Sequence, residues 1–176
     1  LLAAEDANVL NQKIRNLGLS EIIEGRLLEI VRDRRMALSD FAELQQSIDA
    51  GAKFAISPGL TKDLLQAGNE SEIALIPGIS SISELMDASD FGYDHLKFFP
   101  AEASGGVNAI KSIGGPFPDI KFCPTGGINL NNVRDYLALP NVICCGGSWL
   151  VPNQAVVSKN WSQITQLANE AIAFVK

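Results

Sequence analysis

The sequence has 176 residues, of which 47% are hydrophobic, and this is enough for one domain with a substantial core. Its formal net charge is -6 and its 14 lysines and arginines are scattered, which argues against a nucleic-acid-binding surface. The apolar runs fall short of the ~20 residues that a membrane-spanning helix needs, and the first residues do not form a secretory signal. We therefore expect a single cytoplasmic domain over residues 1–176, with neither nucleic acid nor membrane as a partner.

From about residue 40 onward, helical periods alternate with short apolar runs that end in Gly or Pro. Each apolar run predicts a strand, and each helical period predicts the helix that follows or precedes it. The predicted helices run from Ser39 to Ala50, Thr61 to Ala67, Ser81 to Ala88, Val107 to Ile113, Leu130 to Leu137 and Trp161 to Val175. The predicted strands run from Lys53 to Ser57, Ile73 to Ile76, Leu96 to Phe99, Ile120 to Cys123 and Val142 to Cys145.

Strands separated by helices predict a parallel sheet, because a parallel neighbour needs a crossover connection. Nearly every predicted strand ends in Pro or Gly followed by small polar residues. In a (β/α) barrel, the carboxyl ends of the strands form the face that carries the chemistry. The α/β class is therefore predicted, with a (β/α)8 TIM barrel as the favoured architecture. A doubly wound open sheet stays an alternative, although no Gly-x-Gly-x-x-Gly follows a strand.

Two glycine pairs follow the last two predicted strands. Adjacent glycines let the backbone approach an anion closely and direct several N–H groups at it. Either pair alone could simply permit a tight turn, but barrels often bind one phosphate between their last two strand ends. The predicted phosphate site consists of Gly126, Gly127, Gly146, Gly147 and Ser148.

Lys97 lies inside a short apolar run, between Leu96 and the pair Phe98 and Phe99. Removing water from an ammonium group is costly, so a buried amine has a lowered pKa and becomes a nucleophile toward carbonyl carbon. The alternative is a lysine whose stem is buried while its head reaches solvent. The position alone leaves these two interpretations about even.

The sequence contains three cysteines and one histidine. Cys123, Cys144 and Cys145 lie in apolar strand-like runs, which indicates reduced thiols rather than a disulfide framework. Adjacent cysteines on a strand point to opposite faces, so a metal site is not expected.

Several blocks in order, "FAISPGL", "IPGISSISELM", "LKFFPAEASGG", "FCPTGGI" and "CCGGSWLVP", resemble the KDPG/KHG aldolases, where KDPG is 2-keto-3-deoxy-6-phosphogluconate. The resemblance runs from about Phe41 to the C-terminus. It implies a homotrimeric (β/α)8 barrel that needs no cofactor and no metal. Within it, Lys97 matches the lysine that forms the Schiff base with a phosphorylated keto acid, and the glycine pairs with Ser148 match the phosphate-binding segments. Thr125, Pro58 and Phe99 match residues that line the substrate site or pack beside the lysine.

The N-terminal part departs from the family pattern. Segment 1–24 predicts a helical segment, and 25–38 matches the family poorly. In "RLLEIVRDR", Glu29 is the candidate for the catalytic glutamate, but no arginine stands at the family's spacing of four after it. We interpret these facts as missing pieces of the first three strand–helix units, without which an eight-stranded barrel cannot close.

The resemblance implies a class I aldolase of the Entner-Doudoroff pathway that cleaves KDPG to pyruvate and glyceraldehyde 3-phosphate. Activity on 4-hydroxy-2-ketoglutarate or on the galactonate epimer is left open. One alternative is another phosphate-binding barrel, a synthase or isomerase that forms no imine. The other is a catalytically inactive relative with a shortened N-terminal region.

Overall fold

The computed structural model describes residues 44–45, 48–49 and 51–175. Positions 44–45 and 48–49 are helical, in agreement with the helix predicted there. The N-terminal segment 1–24, the region 25–38 and Glu29 lie outside the described residues. The predictions made for them therefore stay predictions.

The strands are short, and every ladder between them is parallel, which confirms the predicted α/β class. One ladder joins β1 and β2, and a second joins β3, β4 and β5 in that order. In the second ladder Lys97 has Gly78 as its partner on one side and Cys123 on the other. The strands are β1 Phe54–Ile56, β2 Ala74–Ile76, β3 Gly78–Ile79, β4 His95–Phe98 and β5 Lys121–Pro124.

The two ladders are consecutive because β2 and β3 are separated only by Pro77. A proline has no N–H to give to a ladder, so the strand is interrupted there. The Pro77 carbonyl still accepts a hydrogen bond of 2.9 Å from the Lys97 N–H, and the Ile76 carbonyl accepts one of 3.2 Å from Ser57. The segment that pairs with β1 as β2 thus continues after Pro77 as β3, the neighbour of β4.

The strand predicted from Val142 to Cys145 does not form as a continuous strand. The segment touches β5 through two isolated parallel bridges, Phe122 with Val142 and Thr125 with Gly146. Between these bridges β5 advances by three residues and its neighbour by four. The extra residue breaks the ladder as a bulge does, although the segment keeps its place beside β5.

The predicted helices are present with small shifts of their ends. The first begins after Thr61, whose Oγ1 accepts from the Leu64 N–H, and the second begins with a capping box between Ser81 and Glu84. The α-helices are α1 Lys62–Glu70, α2 Ile82–Asp90, α3 Gly106–Ile113, α4 Val133–Leu137, α5 Asn153–Val157 and α6 Trp161–Val175, and a short 3-10 helix spans Ser148–Leu150.

The main core lies between the sheet and these helices. Leu96 and Phe98 on β4 and Phe122 on β5 are fully buried in it, and the two phenylalanine rings meet edge to face at 6.2 Å. Because side chains alternate along a strand, Lys97 faces the opposite side of the sheet. Among the described residues, we find no helix with the length and apolar character needed to span a membrane.

Candidate active site

Lys97 is half-buried on the face of the sheet opposite the helices. Its two partners in the ladder, Gly78 and Cys123, carry a small side chain or none. Its Nζ lies over the ring of Phe99, 4.5 Å from the ring centroid. The lysine therefore has room on both sides and an aromatic ring beneath its amine.

Burial lowers the pKa of the Lys97 amine, and the neighbouring Cys123 thiol opposes this with a smaller upward effect. A lowered pKa increases the fraction of neutral amine near neutral pH, and only the neutral amine can attack a carbonyl carbon. A lowered pKa is the property that the nucleophilic interpretation of this lysine requires.

The thiols near Lys97 are buried and reduced. A hydrogen bond from Cys144 lowers the pKa of Cys123, and the same bond raises the pKa of Cys144. Cys145 belongs to the core on the helix side, where burial raises its pKa to about 12. The two adjacent cysteines therefore lie on opposite faces, as their spacing predicted. Among the described residues, no group of three His, Cys, Asp or Glu could hold a metal ion.

The first glycine pair forms a turn directly after β5. Gly126 and Gly127 have positive φ angles of 95° and 81°, a conformation that favours glycine. Their N–H groups donate to no other described residue. The Gly127 carbonyl instead accepts hydrogen bonds of 3.2 Å from the side-chain amides of Asn129 and Asn132. A turn whose carbonyl is held while its N–H groups are open can bind an anion.

Phe99 connects this turn to the lysine. A Cβ added to Gly126 would lie 3.2 Å from two carbons of the Phe99 ring. The Lys97 amine lies over the same ring. The Gly126 turn, Phe99 and the Lys97 amine are therefore neighbours. Three of the residues predicted for the site are brought together by direct packing.

The second glycine pair meets the first through Thr125. The Thr125 position bridges to Gly146, and a Cβ on Gly146 would collide with the Thr125 methyl group. Gly147 lies against the ring of Trp149, and Ser148 is exposed at the start of the 3-10 helix. The Thr125 hydroxyl oxygen is buried and has no hydrogen-bond partner among the described residues. An unpaired buried hydroxyl beside the lysine strand is suited to contact a bound substrate.

Pro58 reaches the same region from β1. A Cβ on Gly78 would collide with the carbonyl carbon and oxygen of Pro58, and Gly78 is the ladder partner of Lys97. The Ser57 hydroxyl secures this contact because it accepts from the Gly78 N–H at 3.3 Å and donates to the Gly59 carbonyl at 2.6 Å. Pro58 thus lies one strand away from the lysine.

One pair of residues at this site has no signal in the sequence. The hydroxyl of the fully buried Tyr136 on α4 donates to Oε1 of Glu102, which lies on the loop after β4. Glu102 is exposed although its carboxylate is bonded to this buried hydroxyl. Its partner lies 34 residues away, so no local pattern could reveal the contact.

Comparison with known proteins identifies the family of this chain. A family model described as KDPG and KHG aldolase matches residues 37–167. The 2-dehydro-3-deoxy-phosphogluconate aldolase of Pseudoalteromonas atlantica is 70% identical over 124 residues, which are 70% of this chain and 58% of that protein. The chain therefore spans less than two thirds of this curated relative.

Two solved structures share the fold. The crystal structure of KDPG aldolase from Legionella pneumophila, with pyruvate captured as a covalent carbinolamine intermediate, is 56% identical with a TM-score of 0.70, covering 73% of this chain and 62% of that one. The KDPG aldolase of Zymomonas mobilis ZM4 with 3-phosphoglycerate is 41% identical with a TM-score of 0.72, covering 78% of this chain and 65% of that one. These similarities confirm the predicted α/β barrel class.

Proposed function

Because this chain belongs to the KDPG and KHG aldolase family, we propose that it is a class I aldolase that cleaves KDPG to pyruvate and glyceraldehyde 3-phosphate. The observation that carries the proposal is Lys97, a half-buried lysine with a lowered pKa. Its amine lies over Phe99, and that ring contacts the open Gly126 turn. A nucleophilic amine beside an anion-binding turn is what a phosphorylated keto acid requires.

In the proposed mechanism, the neutral Lys97 amine attacks the C2 ketone of the substrate. The carbinolamine that forms loses water to give an iminium, which accepts the electron pair of the C3–C4 bond when that bond breaks. A base removes the proton of the C4 hydroxyl, so that C4 leaves as the aldehyde carbon of glyceraldehyde 3-phosphate. The remaining enamine takes up a proton at C3 and is hydrolysed, which releases pyruvate and frees the amine.

The two glycine pairs are proposed to hold the phosphate of the substrate. Gly126 and Gly127 offer N–H groups that have no partner among the described residues, and Gly146, Gly147 and Ser148 form the neighbouring segment. Binding energy from the phosphate then orients the reacting carbons over Lys97. The neighbouring structure from Zymomonas mobilis contains 3-phosphoglycerate, a molecule with the same kind of anionic group.

Thr125 and Pro58 are proposed to line the keto-acid end of the site. The buried Thr125 hydroxyl lacks a partner among the described residues and could donate to the substrate. Glu29, which lies outside the described residues, is proposed as the acid–base group on the family resemblance alone. Exchange of Glu29 for Gln should slow cleavage and leave the trapping of pyruvate at Lys97 intact.

Trapping with borohydride tests the proposal directly. The protein is incubated with pyruvate, reduced with sodium borohydride and analysed by intact mass, and we expect the mass of one reduced pyruvate adduct on Lys97. Lys97→Met should give no adduct, whereas Lys111→Met, which changes an exposed lysine on α3, should give the adduct of the unmodified protein. An adduct that persists in Lys97→Met would overturn the assignment. Pyruvate release from KDPG, followed with a coupled dehydrogenase, would distinguish an active aldolase from an inactive relative.

A homotrimer and a cytoplasmic location are further proposals that rest on the family resemblance. Val157, which is 78% exposed, and Met86, which is 55% exposed, are large apolar side chains that a subunit contact could cover. Light scattering during size-exclusion chromatography measures the mass in solution. A monomeric mass would overturn the trimer.

A further inference from the structure

Glu102 and Tyr136 form a contact that the proposed mechanism does not use. The Tyr136 side chain is fully buried, and its hydroxyl donates to the carboxylate of the exposed Glu102. Burial, assisted by the hydrogen bond to Glu102, raises the pKa of Tyr136, so the hydroxyl stays protonated as a donor. A buried hydroxyl therefore fixes the direction of a side chain that would otherwise move freely in solvent.

The main chain of Glu102 is tied to the anion-binding turn. Its N–H donates to the Gly126 carbonyl at 3.1 Å, and the preceding Ala101 N–H donates to the Thr125 carbonyl at 2.8 Å. The loop after β4 and the turn after β5 are thus joined by two hydrogen bonds. One of these loops follows Lys97 and the other carries the N–H groups proposed for the phosphate.

The side chain of Glu102 also packs against the same turn. A Cβ added to Gly127 would lie 2.5 Å from Cγ and 2.7 Å from Cβ of Glu102, so the side chain occupies the space that a larger residue would need. At its other end, Oε1 of Glu102 and the Tyr136 hydroxyl both lie 3.4 Å from the Cβ position of Gly106, the first residue of α3. The carboxylate is therefore held at the start of a helix, where a negative charge is favourable.

We propose that Glu102 and Tyr136 are positioning residues that hold the Gly126–Gly127 turn in its anion-binding conformation. Tyr136 fixes the Glu102 carboxylate at α3, and the backbone and Cγ of Glu102 fix the turn. Without the tyrosine hydroxyl, the carboxylate would be free to move beside the phosphate and repel it. This inference rests on the proposed phosphate site but does not depend on the formation of an imine.

The test measures phosphate binding and pyruvate trapping separately. Inorganic phosphate is titrated by phosphorus NMR into the unmodified protein and into Tyr136→Phe, Glu102→Ala, their double variant and Glu102→Gln. Tyr93→Phe is the matched control, because it also removes one hydroxyl, which donates to the Leu65 carbonyl at 2.8 Å in another part of the structure. Pyruvate trapping and the thermal unfolding midpoint are measured on every variant.

We expect Tyr136→Phe and Glu102→Ala each to weaken phosphate binding roughly tenfold, since a hydrogen bond to a charged group is lost in each. The double variant should be weakened little beyond either single variant, because the two residues act as one unit. Glu102→Gln, which keeps an acceptor for Tyr136, and Tyr93→Phe should stay within about twofold of the unmodified protein. Pyruvate trapping at Lys97 should be unchanged in all of them.

Three results would overturn the inference. The first is phosphate binding in folded Tyr136→Phe and Glu102→Ala that equals that of the unmodified protein. The second is a loss of phosphate binding in the double variant that equals the sum of the two single losses. A loss of the same size in Tyr93→Phe, when that variant is destabilised to the same extent, would count equally against it. The third is an unmodified protein that binds no phosphate. An unmodified protein that binds phosphate but traps no pyruvate would instead overturn the proposed function and leave the positioning pair supported by its own variants.

Discussion

The amine of Lys97 lies over the ring of Phe99, two residues further along the chain, with 4.5 Å between Nζ and the ring centroid. Two effects on the amine therefore have opposite signs. Burial lowers the pKa of Lys97, whereas the face of an aromatic ring stabilises the ammonium form. The balance between them determines how much neutral amine is present for attack on a keto acid.

Phe99→Leu tests the contribution of the ring. Leucine keeps an apolar neighbour but removes the π face, so the ammonium loses about 0.5–1 kcal/mol of stabilisation and the pKa of Lys97 falls further. In a plot of the pyruvate-trapping rate against pH, the rise on the acidic side should move to lower pH by about half a pH unit. Phe117→Leu, which changes a ring that packs against the core on the helix side, is the control. A shift of this rise to higher pH would show that the ring acts mainly by excluding water.

Lys97→Met should stabilise the protein at neutral pH. Because the pKa of Lys97 is lowered in the folded state, the folded protein binds the proton less tightly than the unfolded chain. The destabilisation caused by the buried ammonium is fully present below the folded-state pKa of Lys97 and disappears as pH rises toward the ordinary pKa of lysine. The gain should be about 1 kcal/mol or less, since the half-buried amine keeps part of its hydration. Urea unfolding at neutral pH and near pH 10 measures it, with Lys111→Met as the exposed control. A gain that grows with pH would contradict the assignment.

The sequence predicted most of the fold because the local signals agreed with the tertiary structure. Gly and Pro at the strand ends, and helical periods that begin at Thr61 and Ser81, placed the elements within a few residues. The break between Val142 and Cys145 was not predictable. It depends on the register with β5, a non-local property that the apolar run itself does not encode.

In the candidate site, too, local features could be predicted from the sequence and non-local contacts could not. Lys97 and the glycine pairs could be selected from the sequence because a buried amine and adjacent glycines are locally unusual. That Phe99 lies between them, and that Glu102 meets Tyr136, depends on the packing of loops from different strands. Sequence reasoning therefore selected the candidate groups but not the contacts between them.

Gly127→Ala should destabilise the protein and weaken phosphate binding together. An alanine at φ of 81° is strained by about 1 kcal/mol, and its Cβ would lie 2.5 Å from Cγ of Glu102. Gly92→Ala is the matched control, because Gly92 has a φ of 85° with nothing within 4 Å of its Cβ position. The difference between the two variants in urea unfolding isolates the collision with Glu102, and we expect about 1 kcal/mol or more. Equal losses, with phosphate binding intact in Gly127→Ala, would contradict the packing described for this turn.

Loss of the capping box at α2 should make the unfolding midpoint less dependent on pH in the acidic range. Burial alone would raise the pKa of Glu84, but hydrogen bonds from Ser80 and Ser81 outweigh it, so the net pKa is lowered. A carboxylate with a lowered pKa stabilises the fold above its unfolded value, and this contribution is lost as pH falls through the folded value. Glu84→Gln should therefore lower the unfolding midpoint at pH 7 and approach the unmodified protein near pH 3. Glu70→Gln, on the exposed end of α1, is the control.

Gly78→Ala should be the most damaging of these substitutions, because the obstruction is main chain. The new Cβ would meet the carbonyl carbon and oxygen of Pro58 and would lie 2.7 Å from the Gly59 nitrogen, and none of these atoms can move as a flexible side chain can. Gly78 must move away from the Pro58–Gly59 segment, which disturbs its pairing with Lys97. The loss of stability should therefore exceed about 2 kcal/mol, and pyruvate trapping should fall with it. Gly59→Ala, with nothing within 4 Å of its Cβ position, should change both by little. If Gly78→Ala were as stable as Gly59→Ala in urea, the close approach of β1 and β3 could not be the contact that places Pro58 beside the lysine strand.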